Sequence, residues 1–244
     1  MERRHEASIP RAVRRTVTAA VEYGVARAGT AAVRVLDRDV VGQAHHPRGA
    51  AGYVTAWEMA HRPSNRLRSR WVVSLLDVRP DSRILEIGFG PGIAVQALVR
   101  AGAAHVYGID HSGVMLRRAS RRNAAAIRAG RVTLVEASVE RIPPALDGPF
   151  DAIVAVNALG FWPAPAERLA ELRGRLVPGG RIAIASQPRC PGATAETSQR
   201  AGREIEGLLT AAGFGRLSIQ TLPLDPPVAC VLGVHPAPGS APRS

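Results

Sequence analysis

The residues best suited to chemistry are two acids and three glycines. Glu86, Gly88, Gly90 and Gly92 occupy alternate positions, starting near the end of an apolar run, and Asp110 ends the next apolar run. A glycine turn between a strand and a helix lets a ligand approach bare backbone N–H groups. An ionised aspartate only accepts hydrogen bonds and can take both hydroxyls of a ribose. Position 93 is isoleucine, whereas a dinucleotide fingerprint needs a third glycine there, so dinucleotide binding is disfavoured.

The surrounding sequence predicts the elements that position these residues. Short apolar runs of strand length alternate with helical stretches from Arg83 onward. This pattern indicates parallel crossover units in a doubly wound α/β domain whose sheet is covered on both faces. The predicted strands are 83–87, 105–109, 132–136, 152–156 and 181–185, and the predicted helices are 92–100, 113–129, 164–176 and 195–212.

The last two predicted strands, 217–222 and 228–234, follow a different rule. Only five residues, three of them proline, separate them. So short a connection cannot hold a crossover helix, and we expect the two strands to pair antiparallel.

Residues 1–63 are predicted to form a basic helical arm and a lid. Valines 13, 17, 21 and 25 are spaced as on one stripe of a helix within an arginine-rich arm, residues 1–39. This arm is interpreted as a surface helix that packs on the domain or as a partly disordered arm, with a helix that binds a membrane or a partner as the alternative. The lid is the segment before Ser64, with a short helical stretch at residues 54–61. Ser64 is predicted to cap a further helix with Leu67, Trp71 and Leu75 on one face.

Composition limits the classes of protein that fit. The 244 residues carry a net charge of +12, every basic residue is arginine, and residues 1–70 hold 13 of the 32 arginines. No apolar run is long enough for a membrane span, and the N-terminus lacks the apolar region of a signal peptide. Cys190 and Cys230 cannot form a disulfide scaffold or a metal site, so we expect free thiols and a cytoplasmic location.

The motif Glu86-x-Gly88-x-Gly90-x-Gly92 with Asp110 resembles that of the class I S-adenosylmethionine-dependent methyltransferases, over about residues 64–234. The resemblance implies that the glycines approach the methionine part of the cofactor and that Asp110 holds its ribose. Where this family often has an acid after the third strand, this chain has Ser138. The cofactor contacts that the resemblance implies are Glu86, Gly88, Phe89, Gly90, Gly92, Asp110, His111, Met115, Ser138, Val139 and Asn157.

Further segments are similar to the same family. They are the fourth strand through Asn157, the turn Leu176–Gly180 and the turn Ala211–Phe214. The implied fold is a Rossmann-like, mostly parallel seven-stranded sheet with an antiparallel last strand, in a domain of residues 64–244. The implied cofactor is S-adenosylmethionine, with S-adenosylhomocysteine as product and no metal.

The methyl acceptor is predicted to lie beyond the carboxyl ends of the strands. Substrate contacts are predicted from Tyr53, Trp57, Phe161, Trp162 and Gln187, with Glu58 also in the lid. His45, His46 and His61 are the histidines that could serve as a general base near neutral pH. Cys190 is interpreted as an ordinary thiol.

The leading hypothesis is an enzyme that methylates a small molecule, for example a specialised metabolite, at oxygen, nitrogen or carbon. A nucleic-acid methyltransferase that uses the arginine-rich arm as its phosphate grip is the second. Against it, Asn157 is not followed by the Pro-Pro-aromatic sequence of adenine methyltransferases, and only 4% of residues are aromatic. A protein that binds S-adenosylmethionine without transferring its methyl group is the third. The oligomeric state is left open.

Overall fold

A computed structural model describes residues 63–190 and 192–237. Their seven strands are β1 (Arg83–Ile87), β2 (His105–Asp110), β3 (Val132–Glu136), β4 (Phe150–Val156), β5 (Leu176–Ser186), β6 (Gly215–Leu222) and β7 (Val228–Val234). The α-helices are α1 (Pro63–Ser74), α2 (Ile93–Arg100), α3 (Gly113–Arg122), α4 (Ala124–Arg128), α5 (Pro165–Gly174) and α6 (Ala195–Ala211). Among these residues, no helix has both the length and the apolar character needed to cross a membrane.

The strands form one sheet in the order β3-β2-β1-β4-β5-β7-β6. The pairs from β3 to β5 are parallel, whereas β7 runs antiparallel to both of its neighbours, β5 and β6. The predicted fold class and the predicted antiparallel pair are therefore confirmed. The carboxyl ends of β1, β2, β4 and β5 lie along one edge of the sheet, where a ligand site of this fold class is expected.

Both faces of the sheet are covered by apolar packing. Ile84 of β1 belongs to a cluster with residues of α1, α2 and α3, and Leu85 belongs to a cluster with residues of α5 and α6. Because successive side chains of a strand point to opposite faces, a sheet that is buried on both sides needs apolar residues at consecutive positions. The uninterrupted apolar runs in the sequence are the consequence.

The predicted helix 113–129 is divided in two at Asn123. The Asn123 side-chain N–H donates to the carbonyl of Ala119 at 2.9 Å and to the carbonyl of Gly92 at 3.2 Å. Asparagine that bonds to nearby backbone in this way competes with the helix. It also fastens α3 to the start of α2.

The buried side of α1 differs in part from the predicted one. Leu67 is 50% exposed, while Asn65, Arg68, Ser69 and Val72 form the buried side of α1. Ser64 lies within the helix and does not cap it, since α1 already begins at Pro63. Of the predicted face, Trp71 and Leu75 pack against the apolar cluster of α1, α2 and α3, whereas Leu67 is exposed. Polar partners after β5 hold Asn65 and Arg68 inward.

Candidate active site at the carboxyl edge of the sheet

The glycine turn is a strained loop that only glycine adopts readily. Gly88, Gly90 and Gly92 have φ angles of 75°, 50° and 75°, which lie in the left-handed region. The N–H of Gly88 donates to the carbonyl of Ile109 at 2.8 Å, and the N–H of Gly92 donates to that of Phe89 at 2.9 Å. The turn is thereby fixed against the end of β2.

Asp110 is held by the backbone on both carboxylate oxygens. The N–H of Gly90 donates to Oδ2 at 2.8 Å, and the N–H of Ser112 donates to Oδ1 at 2.9 Å. Burial raises the pKa of Asp110, while these two N–H groups act in the opposite direction. Each oxygen keeps a second lone pair, so the carboxylate can still accept from a diol.

Glu86 is a buried acid with an unsatisfied oxygen. Its side chain is 2% exposed, and the N–H of Val95 in α2 offsets only part of the effect of burial on its pKa. Oε2 has no hydrogen-bond partner. Burial, and then the charge of Asp110, raises the pKa of Glu86 well above its usual range. An acid in this state lacks a cation, and a bound cation would restore its ionised form.

The three glycines differ in the space around them. A Cβ on Gly88 would lie 2.7 Å from Cβ of Ala158, and a Cβ on Gly92 would lie 2.8 Å from Cβ of Ala119. A Cβ on Gly90 would meet no atom within 4 Å. Gly88 and Gly92 are therefore required for packing, whereas Gly90 faces open space beside Asp110.

The residues that follow β3 lie beside the carboxyl end of β2. The N–H of Ala137 donates to the carbonyl of Asp110 at 3.0 Å, so Ser138 and Val139 follow directly beside the end of β2. Glu136 is the register partner of Asp110, and its charge contributes to the raised pKa of Asp110. Glu136 was not predicted as a site residue, although it is the last residue of the correctly predicted strand β3.

The start of α3 also lies at the carboxyl end of β2. Ser112 caps the helix by accepting from the N–H of Met115 at 3.4 Å. Met115 is 3% exposed within the apolar cluster of α1, α2 and α3, whereas His111 lies on the surface.

Asn157 and Gln187 join the ends of β4 and β5. The N–H of Gln187 donates to Oδ1 of Asn157 at 2.8 Å, and Nδ2 of Asn157 donates to the carbonyl of Gln187 at 3.1 Å. Asn157 has a φ of 55°, a left-handed conformation that asparagine tolerates better than most residues. The side-chain amide of Asn157 is therefore used in hydrogen bonds to the backbone of Gln187.

The Gln187 side chain is fully engaged as well. Its Nε2 donates to the carbonyl of Pro226 at 2.8 Å, and its Oε1 accepts from Arg68 and from Arg189, each at 2.8 Å. The side chain predicted to touch substrate thus holds two arginines in place. Neither arginine was predicted as a site residue, because in an arginine-rich sequence nothing local distinguishes them.

The two aromatic residues after β4 have different surroundings. Phe161 is 46% exposed, and Trp162 is 8% exposed within the apolar cluster of α5 and α6. The predicted contacts Tyr53, Trp57 and Glu58 and the predicted bases His45, His46 and His61 lie outside the described residues, as does the arm.

Comparison with known proteins identifies the family. A methyltransferase domain model matches residues 84–180. The chain is also 33% identical over 190 residues to the uncharacterized methyltransferase YdaC of Bacillus subtilis, covering 77% of this chain and 98% of that protein. The chain belongs to the class I S-adenosylmethionine-dependent methyltransferases. It is an enzyme whose methyl donor is S-adenosylmethionine.

Two further relatives show how this methyltransferase compares. Trans-aconitate 2-methyltransferase of Pseudomonas paraeruginosa is 36% identical over 143 residues, which cover 56% of this chain and 48% of that protein. The N-methyltransferase NodS of Bradyrhizobium japonicum, solved with S-adenosylhomocysteine, superposes with a TM-score of 0.55 at 19% identity. That match covers 73% of this chain and 90% of NodS, and it supports the fold.

The residues of this methyltransferase fit its cofactor. S-adenosylmethionine carries a sulfonium and an ammonium group, and the orphaned Oε2 of Glu86 is a buried acceptor that lacks a cation. The open space at Gly90 lies beside the doubly anchored carboxylate of Asp110. Both features are built from backbone and buried acid, the groups that suit a cationic nucleoside.

Proposed function

We propose that this methyltransferase acts on a small molecule, at an oxygen, nitrogen or carbon atom. The observation that carries the proposal is that α1 reaches the residues that follow β5 and covers this part of the carboxyl edge. Arg68 of α1 bonds to Gln187, and their exposed fractions are 6% and 2%. A covered edge suits an acceptor that enters a recess better than it suits a polymer lying on an open surface.

The cofactor is assigned to the ends of β1, β2 and β3. In this proposal, Gly88, Gly90 and Gly92 approach its methionine part, Glu86 faces its cationic groups, and Asp110 accepts from the ribose. The adenine flank is assigned to His111, Met115, Ser138 and Val139, with Glu136 as an additional acceptor. Phe89 supports the turn from below, and Asn157 marks the boundary with the acceptor.

Positioning is the main catalytic contribution expected of this chain. S-adenosylmethionine supplies an activated methyl group, so an acceptor that is already nucleophilic needs no protein nucleophile. Correct alignment alone can contribute about 7 to 11 kcal/mol at best. Where the acceptor must lose a proton, one of His45, His46 and His61 is the proposed base, and Phe161 is a proposed wall of the acceptor site.

The test is a methyl-transfer screen with labelled S-adenosylmethionine. Small carboxylic acids, phenols and amines are compared with total RNA and tRNA at equal label concentration. The proposal expects label in at least one small molecule and none above background in RNA. Labelled RNA with no labelled small molecule would refute it.

A basic groove favours RNA as the second candidate. A cavity of about 780 Å³ between α1 and α2 is lined by Arg66, Arg70, Arg100 and Arg122, with Asp77 as the single acid among its described lining residues. Arginines on neighbouring elements repel one another here, and after burial this repulsion lowers the pKa of Arg122. Such a groove can attract phosphates without reading sequence.

Salt dependence separates the two candidates. If RNA were the substrate, deletion of residues 1–39 would weaken its binding, and each lost phosphate contact would reduce the log–log salt slope by about 0.7 to 0.9. We expect weak RNA binding without sequence preference, and unchanged affinity for S-adenosylhomocysteine after the deletion. Tight, selective RNA binding that disappears with the arm would favour the second candidate.

A further inference from the structure

Arg68 is a buried cation that the described structure does not neutralise. Its side chain lies on the inner side of α1 with 6% exposure, and Nη1 donates to Oε1 of Gln187 at 2.8 Å. Nε is buried and has no hydrogen-bond partner. Within residues 63–190 and 192–237, no carboxylate forms an ion pair with it. A buried guanidinium normally requires an anion.

Another arginine of the chain shows the ordinary arrangement. Arg168 also has a buried Nε without a partner, yet its Nη2 pairs with Glu171 at 3.0 Å and with Glu167 at 3.4 Å. Arg68 is more deeply buried and has only a neutral amide. The difference points to a ligand that supplies the missing negative charge.

Arg189 brings a second positive charge to the same amide. Its Nη2 donates to Oε1 of Gln187 at 2.8 Å and to Oδ1 of Asn65 at 3.0 Å. Burial, and then repulsion from Arg189, lowers the pKa of Arg68 to about 10, so the group remains charged at neutral pH. Since Nε2 of Gln187 is held by Pro226, the amide orientation is fixed and both arginines are preorganised.

The pair of arginines lies on the acceptor side of the proposed active site. Gln187 follows β5 directly, and its backbone is bonded to Asn157 at the end of β4. β1, β4 and β5 are consecutive strands, and neighbouring strands are about 4.8 Å apart, so the ends of β1 and β5 are about 10 Å apart. A small acceptor can span this separation.

We propose that Arg68 and Arg189 form an anion subsite that holds a carboxylate group of the methyl acceptor. Nη1 of Arg68 is already used, which leaves its Nε and Nη2 donors. That edge of a guanidinium pairs with both oxygens of a carboxylate. The inference rests on the proposed small-molecule function and specifies its substrate class as an organic acid.

An acid from the chain itself is the competing occupant. Glu58 is the nearest acidic residue that precedes α1 in the sequence, and it belongs to the predicted lid. An ion pair between Glu58 and Arg68 would neutralise the guanidinium without any substrate. The experiment therefore includes Glu58→Gln alone and combined with Arg68→Met.

The test measures binding by calorimetry to protein saturated with S-adenosylhomocysteine. The probes are mono-, di- and tricarboxylic acids, their uncharged amides, and inorganic phosphate. We expect at least one carboxylate to bind while its amide does not. Arg68→Met should weaken this binding about 100-fold, Arg68→Lys about tenfold, and Arg66→Met, on the exposed side of α1, by less than about twofold.

Three outcomes would reject the proposal. Equal carboxylate affinity in wild type and Arg68→Met would overturn it, as would binding of phosphate alone. A third such outcome is that the two substitutions Glu58→Gln and Arg68→Met have strongly non-additive effects on the free energy of unfolding while no carboxylate binds. Arg68 would then pair with Glu58 of the lid and not with a substrate. Unchanged S-adenosylhomocysteine affinity in Arg68→Met shows that this variant is folded. Methyl transfer to RNA alone would refute the proposed function, whereas the binding data report on the subsite separately.

Discussion

The two halves of the carboxyl edge differ in the sign of their charge. At the ends of β1, β2 and β3 lie Glu86, Asp110 and Glu136, supported by backbone N–H groups of the glycine turn. At the end of β5, Gln187 binds Arg68 and Arg189, and none of its hydrogen-bond partners is a carboxylate. One edge thus presents an acidic half and a basic half.

This difference indicates how a single sheet edge can sort two ligands. A cationic cofactor is favoured over the acidic half and repelled by the arginines, and an anionic acceptor is favoured over the basic half. Both halves contain a buried ionisable group without an opposite charge beside it, namely Glu86 and Arg68. A bound cation would favour the ionised form of Glu86, and a bound anion would neutralise Arg68.

The largest effect is expected from Gly90→Val in the acidic half. A side chain at this position needs a strained φ of 50° and would enter the open space beside Asp110. We expect no measurable S-adenosylhomocysteine binding, a loss of more than about 1000-fold, with near-native circular dichroism. Gly130→Val is the matched control, because Gly130 has a φ of 69° and equally open surroundings in the turn before β3. Normal cofactor binding by folded Gly90→Val would contradict the assignment.

The second largest loss of cofactor affinity is expected from Asp110→Ala. Loss of the carboxylate removes charge-assisted acceptors worth about 2 to 4 kcal/mol, which is about 30- to 1000-fold in cofactor affinity. Asp151→Ala is the control, since Asp151 also accepts from a backbone N–H, that of Arg83, but at the amino end of β1. Calorimetry should give wild-type affinity for the control. Equal losses in both variants would mean that the effect is one of stability alone.

Glu86→Gln tests the buried acid through the pH dependence of the free energy of unfolding. The raised pKa means that the folded protein binds this proton more tightly than the unfolded chain does. The resulting stability is fully present below pH 4.5, the usual pKa, and is lost as pH rises through the raised pKa. The free energy of unfolding, measured with urea, should therefore fall less above pH 4.5 in Glu86→Gln than in wild type. Glu196→Gln is the control and should behave like wild type. Cofactor affinity at neutral pH should fall about tenfold.

The smallest effect concerns the stability cost of the basic half. A pKa lowered from 12.5 to about 10 corresponds to about 3 kcal/mol for keeping Arg68 charged. Replacing it with methionine also loses a charged hydrogen bond of about 1.5 to 3 kcal/mol. We expect Arg68→Met to raise the unfolding free energy by about 1 kcal/mol, against no change in Arg66→Met. A loss of several kcal/mol would show that the cation is already neutralised in the free protein.

Sequence reasoning succeeded where the signal is local. β1, β3 and β7 have the predicted bounds, because runs of strand length that consist mainly of apolar residues are visible in the sequence. The glycine turn was recognisable from the spacing of Gly88, Gly90 and Gly92, since those backbone angles exclude most other residues. β5 begins earlier than expected, at Leu176, because its first residues are recruited by pairing with β4, at Phe150.

The strands of the sheet, its reversed last strand and the glycine turn with Glu86 and Asp110 were predictable from the sequence, because periodicity, a five-residue connection and backbone conformation act over a few residues. The buried side of α1 and the meeting of Arg68, Gln187 and Arg189 depend on contacts between distant segments and were not predictable. Arg68 and Gln187 are 119 residues apart, so their hydrogen bond depends on strand order and helix packing. Nothing in the sequence marks Arg68 among the arginines, and among the described arginines it is burial that sets Arg68 apart.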